Sequence, residues 1–117
     1  MILLRISIHS AACACVFLLA ACASLPAGED EAGVELKAKS AKVLTAIAQF
    51  GRERGRYPTS MYELVPRYLP ELPDEPILHI NDDTGTVGFV YSRPGFPGLT
   101  RISCSTRLGT AEWHCSD

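Results

Sequence analysis

The chain has 117 residues, enough for one domain with a small core. Its 11 Lys and Arg against 13 Asp and Glu leave a formal net charge of −2, which argues against a nucleic-acid partner, since that needs a basic face. The hydrophobic share of 47% overstates the core, because an apolar stretch near the N-terminus inflates it.

Met1 to Arg5 is short and carries one positive charge, and Ala11 to Ala21 follows without any charged residue. These are the n-region and h-region of a secretory signal. The stretch is too short for a membrane-spanning helix, which needs about 20 apolar residues. It ends in Leu19-Ala20-Ala21-Cys22, which resembles the lipobox of bacterial lipoproteins. The resemblance implies cleavage after Ala21 and attachment of diacylglycerol to the Cys22 thiol. Small residues before the cut fit a narrow peptidase cleft. The alternative is an ordinary signal peptide, with Cys22 an ordinary cysteine. The expected organisation is a signal peptide at 1–21, a lipidated N-terminus and tether at 22–28, and a single domain at 29–117. Residue 23 is Ala. In enterobacterial lipoproteins an aspartate there favours inner-membrane retention, so this pattern is similar to outer-membrane sorting. The expected partners are therefore the membrane, through the lipid anchor, and an envelope protein, with the domain in the periplasm.

Cysteine arithmetic agrees. Of Cys13, Cys15, Cys22, Cys104 and Cys115, cleavage removes two and lipidation occupies the third. Cys104 and Cys115 are left as an even pair in an oxidising compartment, where a disulfide is expected. The alternatives are two free thiols or two metal ligands, and no nearby second pair completes a zinc site.

Ala23 to Gly28 is small, with Pro26, and reads as a short tether. Glu29 to about Arg54 predicts one long amphipathic helix. Leu36, Val43, Ile47 and Phe50 fall in one arc, with Leu44 and Ala46 at its edges, and Lys42, Thr45, Gln49 and Arg52 opposite. Glu29, Asp30, Glu31 and Glu35 at the start, and Arg52, Arg54 and Arg56 at the end, suit the helix dipole. Gly55 supplies a stop. That arc is expected to pack on the protein's own core.

Pro58 turns Tyr57 out of helical space. Ser60 and Glu63 form an S-x-x-E capping box, predicting a short helix from Met61. Pro66, Pro70, Pro73 and Pro76 then keep the chain irregular, with Tyr68 and Leu69 as anchors. Four strands are predicted: Ile77–Ile80, Thr86–Ser92, Leu99–Cys104 and Thr110–Cys115. Val87, Phe89 and Tyr91 share one face. Ile102 shares a face with Cys104, and Trp113 with Cys115, so the two sulfurs meet on the side where Trp113 packs. The fold class is α+β, one long N-terminal helix packed on a small antiparallel sheet with a C-terminal disulfide hairpin.

The stretches Tyr57-Pro58-Thr59-Ser60, Leu64 through Pro76, and Phe89-Val90-Tyr91-Ser92-Arg93-Pro94-Gly95 resemble the segment after the long helix in the major pseudopilin of type II secretion. The resemblance spans about Glu31 to Gly98 and implies a type IV pilin-like fold and an assembly or accessory role. Pilins also carry a prepilin peptidase site and a long apolar helix. Here Gly33 and Glu35 open no apolar run, and Lys37, Lys39 and Lys42 charge the helix. The resemblance therefore implies the fold and not a filament.

No catalytic constellation is evident. His79 and His114 belong to no G-x-S-x-G or similar arrangement, and Cys104 and Cys115 form no C-x-x-C pair. Asn81, Asp82 and Asp83 lack the ligand count of a calcium site and read as a polar turn. No enzyme activity, cofactor or metal is expected. Two roles follow: an assembly or docking lipoprotein, or an inhibitor or immunity lipoprotein blocking a toxic hydrolase. In the second case the loop holding Arg93, Phe96 and Leu99 is the candidate partner-binding element.

Overall fold

The computed structural model describes residues 25–95, 97–110 and 112–117. The predicted signal peptide, the Leu19–Cys22 motif and Phe96 lie outside the described residues. One helix, α1 (Glu31–Arg54), is followed by a four-stranded antiparallel sheet of β1 (His79–Asn81), β2 (Thr86–Pro94), β3 (Leu99–Arg107) and β4 (Trp113–Ser116), in spatial order β1-β2-β3-β4.

Helix α1 starts two residues later than its charge pattern suggested. The Asp30 backbone is extended, and its carboxylate accepts from the Gly33 amide, so Asp30 is the N-cap. Glu29 belongs to the preceding turn, donating to the Pro26 carbonyl. Gly55 closes the helix in a left-handed conformation. Val43, Ala46, Ile47 and Phe50 are buried, and Leu36 and Leu44 pack at the edge of the core. The helix also buries Gly33 and Ser40, which apolar periodicity does not mark. The Ser40 hydroxyl donates back to the Leu36 carbonyl at 2.7 Å, so its burial leaves no polar atom unpaired.

The expected short helix is a single 3₁₀ turn, Met61–Leu64. Its cap differs from the predicted box. Ser60 Oγ accepts from the Tyr62 amide, and the Glu63 carboxylate reaches back to the Thr59 amide at 2.7 Å. Leu64 is fully buried. Tyr68 sets its ring edge against Phe50 at 5.4 Å, and Leu69 packs beside it, so both anchor the proline-rich segment as expected.

All four strands differ from their expected bounds for reasons of pairing. β1 begins at His79 and not Ile77, because its only partner is Thr86–Gly88; Ile77 is left 72% exposed. β2 and β3 run longer, because their ladder stays closed from Thr86↔Arg107 to Pro94↔Leu99. β4 begins at Trp113 and not Thr110, because Thr110 donates its amide to the Arg107 carbonyl in a turn. The Thr106 hydroxyl then accompanies the returning chain by donating to the Glu112 carbonyl. Val87, Phe89, Tyr91, Ile102, Cys104 and Thr106 face inward onto α1. Cys104 and Cys115 stand directly opposite each other in the register and form a disulfide. Trp113, on the same face as Cys115, meets the Phe89 ring edge-on at 5.2 Å.

Candidate functional site

Antiparallel order gives the molecule two ends. At one end lie the start of α1, the segment Leu25–Asp30 and the β2–β3 turn. At the other lie Gly55–Tyr57, the Asn81–Thr86 turn and the connection after Arg107. There the Leu108 amide donates to the Gly85 carbonyl at 2.8 Å.

The first end is held by a polar cluster around Arg93. Its guanidinium donates to the Leu25 carbonyl at 2.8 Å, to the Pro26 carbonyl at 3.3 Å and to Asp30 Oδ1 at 3.1 Å. The Tyr91 hydroxyl donates to the same Asp30 oxygen at 2.6 Å and accepts from the Gly28 amide at 3.1 Å. Burial pushes the Asp30 carboxyl up, but the Tyr91 hydroxyl, the Gly33 amide and the Arg93 charge outweigh it, and the group ends below the usual aspartate range. Burial, with the hydrogen bond to the Asp30 carboxylate second, raises the Tyr91 phenol.

This crossing depends on two glycines. Gly28 has φ of 80°, and a Cβ there would collide with Cys115 Sγ. A Cβ on Gly33 would lie 2.7 Å from the Tyr91 oxygen and 2.8 Å from Gly28. Residues 25–28, expected to belong to a short tether, are thus pinned across the start of α1. The sequence offered one signal, Asp30 ahead of a helical run. Its other partners lie more than 60 positions away, beyond the reach of periodicity.

Arg93, expected in an exposed loop, therefore lies on β2 with its charge satisfied internally by Asp30. Leu99 is 78% exposed at the turn, and Phe96 lies outside the described residues. His79 and His114 fall in one row across the outer sheet face, through His79↔Gly88, Gly88↔Ser105 and Ser105↔His114. Three strand spacings separate them by about 14 Å, too far for shared chemistry. Among the described residues no group of three His, Cys, Asp or Glu is placed to hold a metal ion, and no helix is long and apolar enough to cross a membrane. Asn81 instead caps its own turn, its Oδ1 accepting from the Asp83 and Thr84 amides.

Sequence reasoning missed a second feature. The proline-rich segment and β1 enclose a groove of about 500 Å³, with Val43, Met61, Leu72 and Leu78 in its walls. Tyr62 and Ile77 stand at its rim, 80% and 72% exposed. The rim is fixed from behind. Arg56 pairs with Glu63 at 2.7 Å, and that hydrogen bond, with the Thr59 amide second, pulls the Glu63 carboxyl down to about 2. Lys39 of α1 reaches Glu75 of the proline-rich segment at 3.1 Å and Glu35 of its own helix at 3.0 Å. Single Pro and Tyr residues in an irregular segment predict no groove until the segment's path is known. No protein-family model, curated protein or solved structure matches this chain.

Proposed function

We propose that this is a non-enzymatic, lipid-anchored protein of the bacterial envelope whose domain is a docking module for another envelope protein, related in fold to pseudopilins. In this reading Cys22 carries the acyl chains, the anchor sits in the outer membrane, and the domain projects into the periplasm. More than one acyl chain makes such an anchor stable, since a single chain binds only marginally. The docking role rests on one observation: Tyr62 and Ile77 are large, exposed and adjacent to the same apolar groove. Isolated exposed apolar residues are ordinary, but two on the rim of a concave apolar surface have the form of a protein contact.

The inhibitor role draws less support. It needs the Arg93–Leu99 loop as a plug, and Arg93 is spent on Asp30 and the Leu25 carbonyl.

A photoreactive phenylalanine analogue at Tyr62 or Ile77, irradiated in intact envelopes, should capture one discrete protein. The same analogue at Ser103, on the exposed sheet face, should not. Equal labelling from all three positions, or none from Tyr62 and Ile77, defeats the docking role. The anchor is tested separately: Cys22→Ala should leave an uncleaved or mislocalised precursor.

A further inference from the structure

We propose that the end of the domain carrying Leu25 and the β2–β3 turn lies against the bilayer that holds the anchor, with Leu25 and Leu99 seated among the lipid headgroups. The inference rests on the lipidation of Cys22 proposed above and adds to it an orientation and a second contact.

The first argument is chain length. Arg93 grips the Leu25 and Pro26 carbonyls, and Tyr91 grips the Gly28 amide. The chain is therefore held at least from Leu25 onward, and Leu25 is three residues after Cys22. Three residues span at most about 11 Å even when fully extended. The interfacial layer on each side of the hydrocarbon is itself roughly 5–8 Å deep. A domain starting so close to its anchor has no slack with which to stand clear of the membrane.

The second argument is what this end exposes. Leu25 is 54% and Leu99 78% exposed. Pro94 and Pro97, beside Leu99 in the turn, are exposed as well. Leu25 and Pro94 border one shallow surface depression with Arg93, Glu31 and Glu35, and Pro94 pairs with Leu99 in the ladder, so Leu25 and Leu99 lie at the same end of the sheet. The Arg93 charge is neutralised by Asp30, and the exposed Arg101, two residues along β3 from Leu99, can reach headgroup phosphates. Glu31 and Glu35 line that depression on the helix side and Glu29 is exposed nearby in sequence, which suits zwitterionic better than anionic headgroups.

The acylated full-length protein, purified from membranes and returned to phosphatidylcholine vesicles, tests this. Leu99→Trp and Leu25→Trp report at the proposed contact and Thr110→Trp at the opposite end. All three sites are exposed, so the variants should fold, and circular dichroism checks that they do. Vesicles containing brominated lipid should quench the added emission of L99W and L25W, while T110W and the native Trp113 should lose little. Mass spectrometry of Cys22 on the same samples separates the two claims. Acyl chains on Cys22 with unquenched L99W, whether or not L25W is quenched, overturn the orientation and leave the anchor standing. An unmodified Cys22 overturns the anchor and the orientation together.

Discussion

At the scale of residues, Asp30 carries three tasks with one carboxylate. It caps α1 through the Gly33 amide, accepts the Tyr91 hydroxyl and neutralises Arg93. Each bond to a charged acceptor of this kind contributes about 1.5–3 kcal/mol. Tyr91→Phe removes the donor to Asp30 and the acceptor for Gly28 while keeping the ring, so a loss of roughly 1.5–3 kcal/mol in urea unfolding is expected. The same carboxylate sets part of the acid response. A carboxyl held below its ordinary value binds its proton in the unfolded chain first, so acid favours unfolding. Asp30 and Glu63 are both held down, Glu63 to about 2. Their contribution is complete above the ordinary carboxylate range and fades as pH falls through it, for Glu63 toward about 2. Urea midpoints measured from pH 7 to pH 3 should fall, and should fall less in Arg56→Ala, which lacks the main partner of Glu63. A midpoint flat with pH in the native protein would contradict this assignment.

At the scale of elements, one helix and one sheet each leave an apolar face that only the other covers. Phe50 is 2% exposed, lies edge-on to Tyr68 and has the Arg54 and Arg56 guanidinium groups 5.7 and 5.1 Å from its ring centre. Phe50→Ala should cost about 3–5 kcal/mol, and Ile47→Ala about 2–5 kcal/mol, by thermal or urea unfolding. Lys42→Glu, at an exposed position, should change stability little; an unchanged Phe50→Ala would mean that the face is not core. These residues were legible in advance because helical and strand periods report burial directly. So was the pairing of Cys104 with Cys115, expected from the cysteine count and compatible with the alternation in two adjacent strands. The ends of β1 and β4 were not, because an edge strand is as long as its partner allows. Arg93 was not legible either. Its loop-like neighbours Pro94 and Gly95 concealed a strand residue whose partners come from the opposite end of the chain. The groove beneath Tyr62 and Ile77 was hidden for a similar reason, since prolines announce irregularity without giving its path.

At the scale of the molecule, the disulfide secures the last strand, which contributes only four residues to the ladder. It closes a loop across 11 positions, and a closure of that length stabilises by about 3 kcal/mol in the chain-entropy model. A small domain has a total margin of only about 5–15 kcal/mol. Paired Cys104→Ser and Cys115→Ser substitutions should therefore lower the melting temperature by more than 10 °C, roughly the shift such a loss implies for a domain of this size. An unchanged melting temperature would show that β4 adds nothing to the margin.

The same whole-molecule view bears on assembly. Pilin filaments need a protruding apolar helix to bundle at their centre. Here the face of α1 that could bundle is consumed, since Val43, Ala46, Ile47 and Phe50 are buried against the protein's own sheet. The exposed side carries Glu31, Glu35, Lys39 and Lys42, whose charges would have to be desolvated in a filament core. The start of the helix is tied back to β2 through Asp30, Tyr91 and Arg93, so it has no free length to extend. Sedimentation of the chain beginning at Ala23 should accordingly give a monomer or small oligomer at all accessible concentrations. Filaments in electron micrographs of that protein would show that α1 leaves its own sheet, and would refute the proposal that any kinship with pilins is one of fold alone.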